Sequence, residues 1–255
     1  MVTVTTAQLY LLLNTFFWPF VRLLALFSTA PILYDPSVPT RVKVALAAAC
    51  ALLVAPTLSG APLTATPFSG EGLLLLLQQI LIGSAMGIGM RIIFAAVELA
   101  GDSIGLQMGL SFAGYIDPQN ASPAPIVGSF LGIIASLILL SVNGHLLIIA
   151  ALVDSFQTIP ISAQFDLAPS LQRLVLLGGE IFRIGLHLAL PVLSTMLVLN
   201  LALGVLSRAA PQLNIFAVGF PATLVVGLLL LGLAMPFVGA ALERVLMQGI
   251  ATVSG

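Results

Sequence analysis

Charge is what this sequence most lacks. Only 7% of its residues are Asp, Glu, Lys or Arg, against 60% hydrophobic ones, and the mean hydropathy is +1.18. A soluble domain needs roughly a quarter of its residues charged to face water, so water is excluded as the main solvent. Eight Lys and Arg against nine Asp and Glu leave a net charge of -1. Nucleic acid is thereby excluded as a partner, because a phosphate backbone is held by dense basic contacts. Cysteine is almost absent: Cys50 stands alone in an Ala-rich run, which rules out an intramolecular disulfide and a thiolate metal cluster. The only histidines, His145 and His187, do not form the H-E-x-x-H spacing of a zinc protease. Ser84 and Ser129, which stand next to glycines, lack the G-x-S-x-G turn of a hydrolase. No cofactor, no metal and no enzymatic activity is expected. Residues 1–8 hold neither Lys nor Arg, so no signal peptide is read there and the first apolar segment is expected to be retained.

What the chain does have is long apolar runs. At about 20 residues per helical span, 255 residues leave room for roughly six spans with short connections. A β-barrel would alternate apolar and polar residues, whereas 73–77 is an unbroken run of leucines. The expected class is all-α, a polytopic helical membrane protein in one domain. Its segments fall at about 8–30, 42–58, 73–97, 126–153, 174–206 and 215–241. The fifth is too long for one upright span and has Pro191 at its middle, which predicts a kinked or two-part helix. Gly83, Gly87 and Gly89 leave one face of the third without side chains, where a neighbouring helix can approach closely. A tail is expected over 242–255.

A charged side chain at mid-bilayer costs at least a few kcal/mol, so each needs a partner, a wet cavity or an interface. Arg22, Arg91, Glu98, Asp102, Glu180 and Arg183 are the cases. Glu180 and Arg183 stand three apart on one helix face and can pair. Pairing during assembly is favoured over a proton relay, because the second, fourth and sixth segments hold no acidic residue in their interiors. That also weakens a small-solute transporter, the main competing class.

Residues 98–125 are the least lipid-like part of the chain. They combine Glu98, Asp102, Gln107, Asp117, Gln119 and Asn120 with several glycines and prolines, yet also carry Met108, Leu110, Phe112, Tyr115 and Ile116. So many large apolar groups do not suit a loop dissolved in water. Irregular backbone at membrane depth is tolerated where protein or a water-filled cavity surrounds it, so this segment is expected to line or block a pathway.

The run from Gly105 to Pro118 (GLQMGLSFAGYIDP), followed by Asn143-Gly-His145, Ser155-Phe156 and Pro160, resembles the FliR family of flagellar export proteins. The run from Arg208 to Pro221 (RAAPQLNIFAVGFP) is similar to the Arg-x-x-Pro-Gln-x-Asn-x-Phe segment of that family. Both motifs are long, and the likeness covers essentially the whole chain, including the early Arg22 and Pro31. The equivalent subunit of virulence type III secretion systems is the second choice. The resemblance implies a core subunit of the flagellar type III export gate at the basal body, in the bacterial inner membrane. It would be built of helical hairpins, with part of the assembly raised to the periplasmic side. It implies FliP-like and FliQ-like partners, an FlhB-like neighbour, membrane lipid, and unfolded flagellar proteins as cargo. It further implies a FliP-like part over about 1–173, a FliQ-like part over about 174–255, and a channel plug in the loop 106–125. The plug residues would be Gln107, Met108, Gly109, Leu110, Ser111, Phe112, Gly114, Tyr115, Ile116, Asp117 and Pro118. Arg208, Pro211, Gln212, Asn214 and Phe216, with Glu180 and Arg183, are expected to serve contacts between subunits.

Overall fold

Apolar runs of this length away from water must satisfy their backbone groups internally, and a helix does so within one segment. The computed structural model describes residues 6–57, 69–110, 125–161, 168–212 and 215–254. Every regular element among them is helical: α1 (Thr6–Thr29), α2 (Thr40–Val54) with a 3-10 turn at Ala55–Thr57, α3 (Gly70–Gln107), α4 (Ile126–Ser141), α5 (Gly144–Thr158), α6 (Ala168–Ala209) and α7 (Ile215–Ser254). Three helices, Gly70–Gln107, Val175–Ala209 and Ala217–Ile250, are long and apolar enough to cross a membrane, and the broken pair α4 and α5 makes a fourth if it counts as one span. The all-α membrane class expected from the sequence therefore holds, with fewer and longer candidate spans than six among the described residues.

The chain groups into two compact units, one of Met1–Arg91, Asn143–Leu177 and Gln248–Gly255, the other of Ile92–Val142 and Gly178–Met247. α3 supplies residues to both. In the first unit its glycines meet α1. A methyl group added at Gly83 would overlap the Arg22 carbonyl and stand 2.9 Å from Ala25 Cβ; one added at Gly87 would stand 2.8 Å from the Ala30 nitrogen. Gly89 is buried as well. Around this approach Trp18, Leu23, Leu26, Met90 and Leu152 are closed off from solvent.

In the second unit α3 corrects one expectation. Residues 98–107, read as irregular, continue the helix. A methyl at Gly101 would lie 2.5 Å from Gly128 Cα on α4, so the two backbones touch there. Asp102 Oδ1 reaches over Gly128, and Glu98, one turn earlier on the same face, reaches over Gly132. These polar residues and glycines form a packing face in the helix rather than a break. Gly185 of α6 makes a similar approach, 2.8 Å from the Ala96 carbonyl for an added methyl.

Three further boundaries moved. The fourth segment is interrupted at Asn143, whose φ of 54° is left-handed, a conformation that Asn tolerates better than most residues. The fifth is one helix with Pro191 inside it; the Ser194 and Thr195 hydroxyls donate to the Pro191 carbonyl at 3.1 and 3.0 Å. The expected tail is the last part of α7, because Leu242 and Leu246 are fully buried and hold it in the core.

Glycines on this chain divide into those whose Cβ position is filled and those where it is open, as at Gly204. Gly83→Ala should lower stability by about 1–3 kcal/mol through overpacking against the α1 backbone, whereas Gly204→Ala should be neutral or gain a few tenths from helix propensity. Thermal unfolding of the detergent-solubilised protein checks this. Equal midpoints for the two variants would contradict the close approach of α1 and α3.

Candidate functional site

Of the residues assigned to the plug, 107–110 lie among those described. Ser111, Phe112, Gly114, Tyr115, Ile116, Asp117 and Pro118 lie outside them. α3 ends at Gln107, and the Met108 and Gly109 amides donate back to Ile104 and Leu106, each at 3.0 Å. Gly109 has a φ of 82°, the left-handed value with which glycine commonly closes a helix. Gln107 Oε1 accepts a 3.1 Å hydrogen bond from Asn200 Nδ2 on α6.

Met108 is fully buried. Its side chain runs over Gly227 of α7, where an added methyl would overlap Cγ and stand 3.0 Å from Sδ. One turn earlier, the Thr223 hydroxyl lies 3.4 Å from the Met108 carbonyl and 3.0 Å from its own helix's Phe220 carbonyl. Met108, expected with Leu110 among the obstructing side chains, thus sits inside the chain's own helix packing. Leu110 is half-buried.

A second polar constellation centres on Arg22. Its guanidinium is fully buried and points to two other elements of the first unit, α3 and α5. Nε donates to Gln79 Oε1 of α3 at 2.8 Å, Nη1 to Ser155 Oγ of α5 at 2.9 Å, and Nη2 to the Ile159 carbonyl at the end of α5 at 3.1 Å. The Phe156 ring lies under it, 3.9 Å from the guanidinium carbon to the centroid. The fork shape of Arg suits three diverging acceptors, and an aromatic face attracts a desolvated cation. The network extends from Gln79 Nε2 to Gln78 Oε1 at 3.3 Å, and from the Ser155 hydroxyl to the Leu152 carbonyl at 2.5 Å. Sequence reasoning singled out Arg22 as needing a partner but pointed to no acceptor. The acceptors are neutral and far along the chain, and only the Ser155-Phe156 pair had been noted at all.

The Glu98 and Asp102 face was also missed. Asp102 Oδ1 is buried with no hydrogen-bond partner. The spacing of four between the two carboxylates, with Gly101 and Gly105 beside them, was the available signal for one helix face. Among the described residues no group of three metal-ligating side chains occurs.

The residues expected at subunit contacts are spread along α6 and the turn after it. Glu180 and Arg183 form an ion pair at 3.1 Å with the Arg183 side chain 80% exposed. Arg208 is exposed in the last turn of α6, where a cation complements the helix dipole, and Pro211 and Gln212 are exposed beyond it. Asn214 lies outside the described residues. Phe216 falls in the first turn of α7, with its side chain outside them.

Long apolar helices around buried polar nodes define a membrane protein of a particular kind, and comparison with known proteins names it. Residues 13–249 match the family described as Bacterial export proteins, family 1, and the chain belongs to that family. It is similar to the flagellar biosynthetic protein FliR of Pectobacterium carotovorum subsp. carotovorum, 50% identical over 226 residues that cover 88% of this chain and 85% of the relative. The FliR protein of Escherichia coli (strain K12) is 47% identical over 245 residues, 96% of this chain and 93% of the relative. That of Bacillus subtilis (strain 168) is 30% identical over 244 residues, covering 94% and 93%.

Arg22 offers the sharpest test of the first unit. Arg22→Met leaves several buried acceptors without donors, at about 1–3 kcal/mol each, and Arg22→Lys places one ammonium where three directions must be served. Both variants should lower the thermal midpoint and the yield of folded protein, with Lys failing to restore either. A midpoint unchanged in Arg22→Met would show that the node contributes nothing to stability.

Proposed function

We propose that this chain, a membrane subunit of the flagellar type III export gate, helps to build a protein-conducting channel together with FliP-like and FliQ-like subunits, beside an FlhB-like one. Gate subunits of this kind work within a complex of export proteins. The cargo in this reading is unfolded flagellar protein leaving the cytoplasm, and the site is the inner membrane at the basal body, with part of the assembly raised to the periplasmic side. The chain transports and carries out no chemistry on its cargo. Its N-terminal part to about residue 173 takes the FliP-like role and the helices α6 and α7 the FliQ-like one.

The observation that carries the assembly reading is uncovered apolar surface. Only 22% of the most apolar stretch of α6, and 22% of that of α7, is buried within the chain, against 56% for α3. Phe182 on α6 and Leu233 on α7 are 70% and 80% exposed. Lipid can cover such faces, yet α6 also carries the exposed Glu180–Arg183 pair and ends on Arg208, Pro211 and Gln212. Charges and turn residues of this kind suit neighbouring protein better than acyl chains. Asn214→Leu should reduce co-purification of the partner subunits, and undiminished recovery of the complex would refute the contact.

Residues 106–125 serve in this reading as the plug of the closed channel. Their mixture of large apolar groups with glycine and polar residues suits a blocked aqueous path, where neither lipid nor bulk water is the neighbour. Deleting 110–115 should raise ion leakage across the membrane of resting cells, measured as growth inhibition and dye uptake. An unchanged leak sinks the plug.

A further inference from the structure

We infer that Met108 is the fixed seat of the loop 106–125: a positioning residue, held in the Gly227 notch of α7, that sets where the loop begins. This rests on the plug reading of the loop and goes beyond it, because it assigns α6 and α7 a part in sealing.

Four contacts at consecutive or neighbouring positions converge on the seat. The Met108 side chain is fully buried and occupies the space that a Cβ at position 227 would need. The Met108 carbonyl faces the buried Thr223 hydroxyl at 3.4 Å. The residue before it is tied to α6 by the hydrogen bond that Asn200 Nδ2 donates to Gln107 Oε1 at 3.1 Å. The residue after it, Gly109, is buried and turns the backbone into the left-handed region at a φ of 82° while its amide closes on Leu106 at 3.0 Å. A flexible thioether is well suited to filling such a notch. With residues 107–109 held on three sides, any displacement of the loop has to begin beyond Gly109. The notch, not the length of the loop, then decides where the obstruction stands.

The seat is tested in the full chain within its native complex in the cell. Met108→Cys serves as reporter for a membrane-impermeant maleimide. With Gly227 in place the thiol should be protected; Gly227→Ala, whose Cβ would overlap the γ atom of residue 108, should speed labelling roughly tenfold, the population shift that moderate overpacking brings. Thr223→Val should give a smaller rise that Thr223→Ser abolishes, a rescue that a purely volumetric effect would not give. Equal labelling in all backgrounds overturns the seat, whatever the plug does. With native Met108, Gly227→Ala should raise ion leakage while the complex is recovered in normal amount. No rise in leak despite faster labelling overturns the role of the seat in sealing, provided the 110–115 deletion leaks; if that deletion does not leak either, the plug reading has failed and the labelling alone judges the seat. Finally, a disulfide between Met108→Cys and Gly227→Cys should leave export of flagellar protein at its reduced-state level. Arrest on oxidation with recovery on reduction would mean that Met108 has to leave the notch during export, and would overturn the fixed seat.

Discussion

Backbone-to-backbone contact across glycine is the constraint on which the described parts of this molecule depend. A membrane offers helices no hydrophobic reason to prefer one another over lipid, so close van der Waals packing and interhelical polar contacts must supply the association. α3 is built for this along most of its length. Gly83 and Gly87 bring α1 against it in one unit, and Gly101 meets Gly128 in the other. The same absence of side chains makes room for a neighbouring helix's side chains, polar or apolar. Asp102 lies over Gly128, and Met108 lies over Gly227.

The Arg22 node shows the complementary solution. A guanidinium removed from water loses a large hydration energy, which a single carboxylate would offset by attraction at the risk of leaving a second buried ion. Here the charge is spread over an amide oxygen, a hydroxyl, a backbone carbonyl at the end of α5 and an aromatic face. The carbonyl end of a helix is itself partially negative. The arrangement links α1, α3 and α5 through directional bonds that ordinary apolar packing lacks, and a three-way fork fixes orientation as well as distance.

Much of the architecture was legible because membrane helices announce themselves by composition, and the segments at 8–30 and 42–58 agree closely with α1 and α2. What misled was the habit of reading glycine and carboxylate as signs of irregular backbone. At 98–107 they mark a helix face pressed on another helix, and the distinction lies in the partner, which a single sequence does not display. The same holds at the chain's end, where buried Leu242 and Leu246 keep α7 helical well past the expected boundary. At the loop's root the residues were identified but not their surroundings. Met108 looks like any large apolar group until Gly227, over a hundred positions later, is placed under it. The family motifs pointed to the right family, since they depend on residue order alone.

The reach of the Arg22 network has a consequence in time. Its last acceptor, the Ile159 carbonyl, lies 137 residues further along the chain. At a synthesis rate of about 5–20 residues per second, roughly 7 to 27 s separate the emergence of the cation from that of its final partner. Until then the guanidinium of α1 lacks two of its three hydrogen-bond acceptors. The node around Arg22 is therefore completed only once α5 and the residue after it have been made, so that the packing of the first helix is settled by the fifth rather than before it.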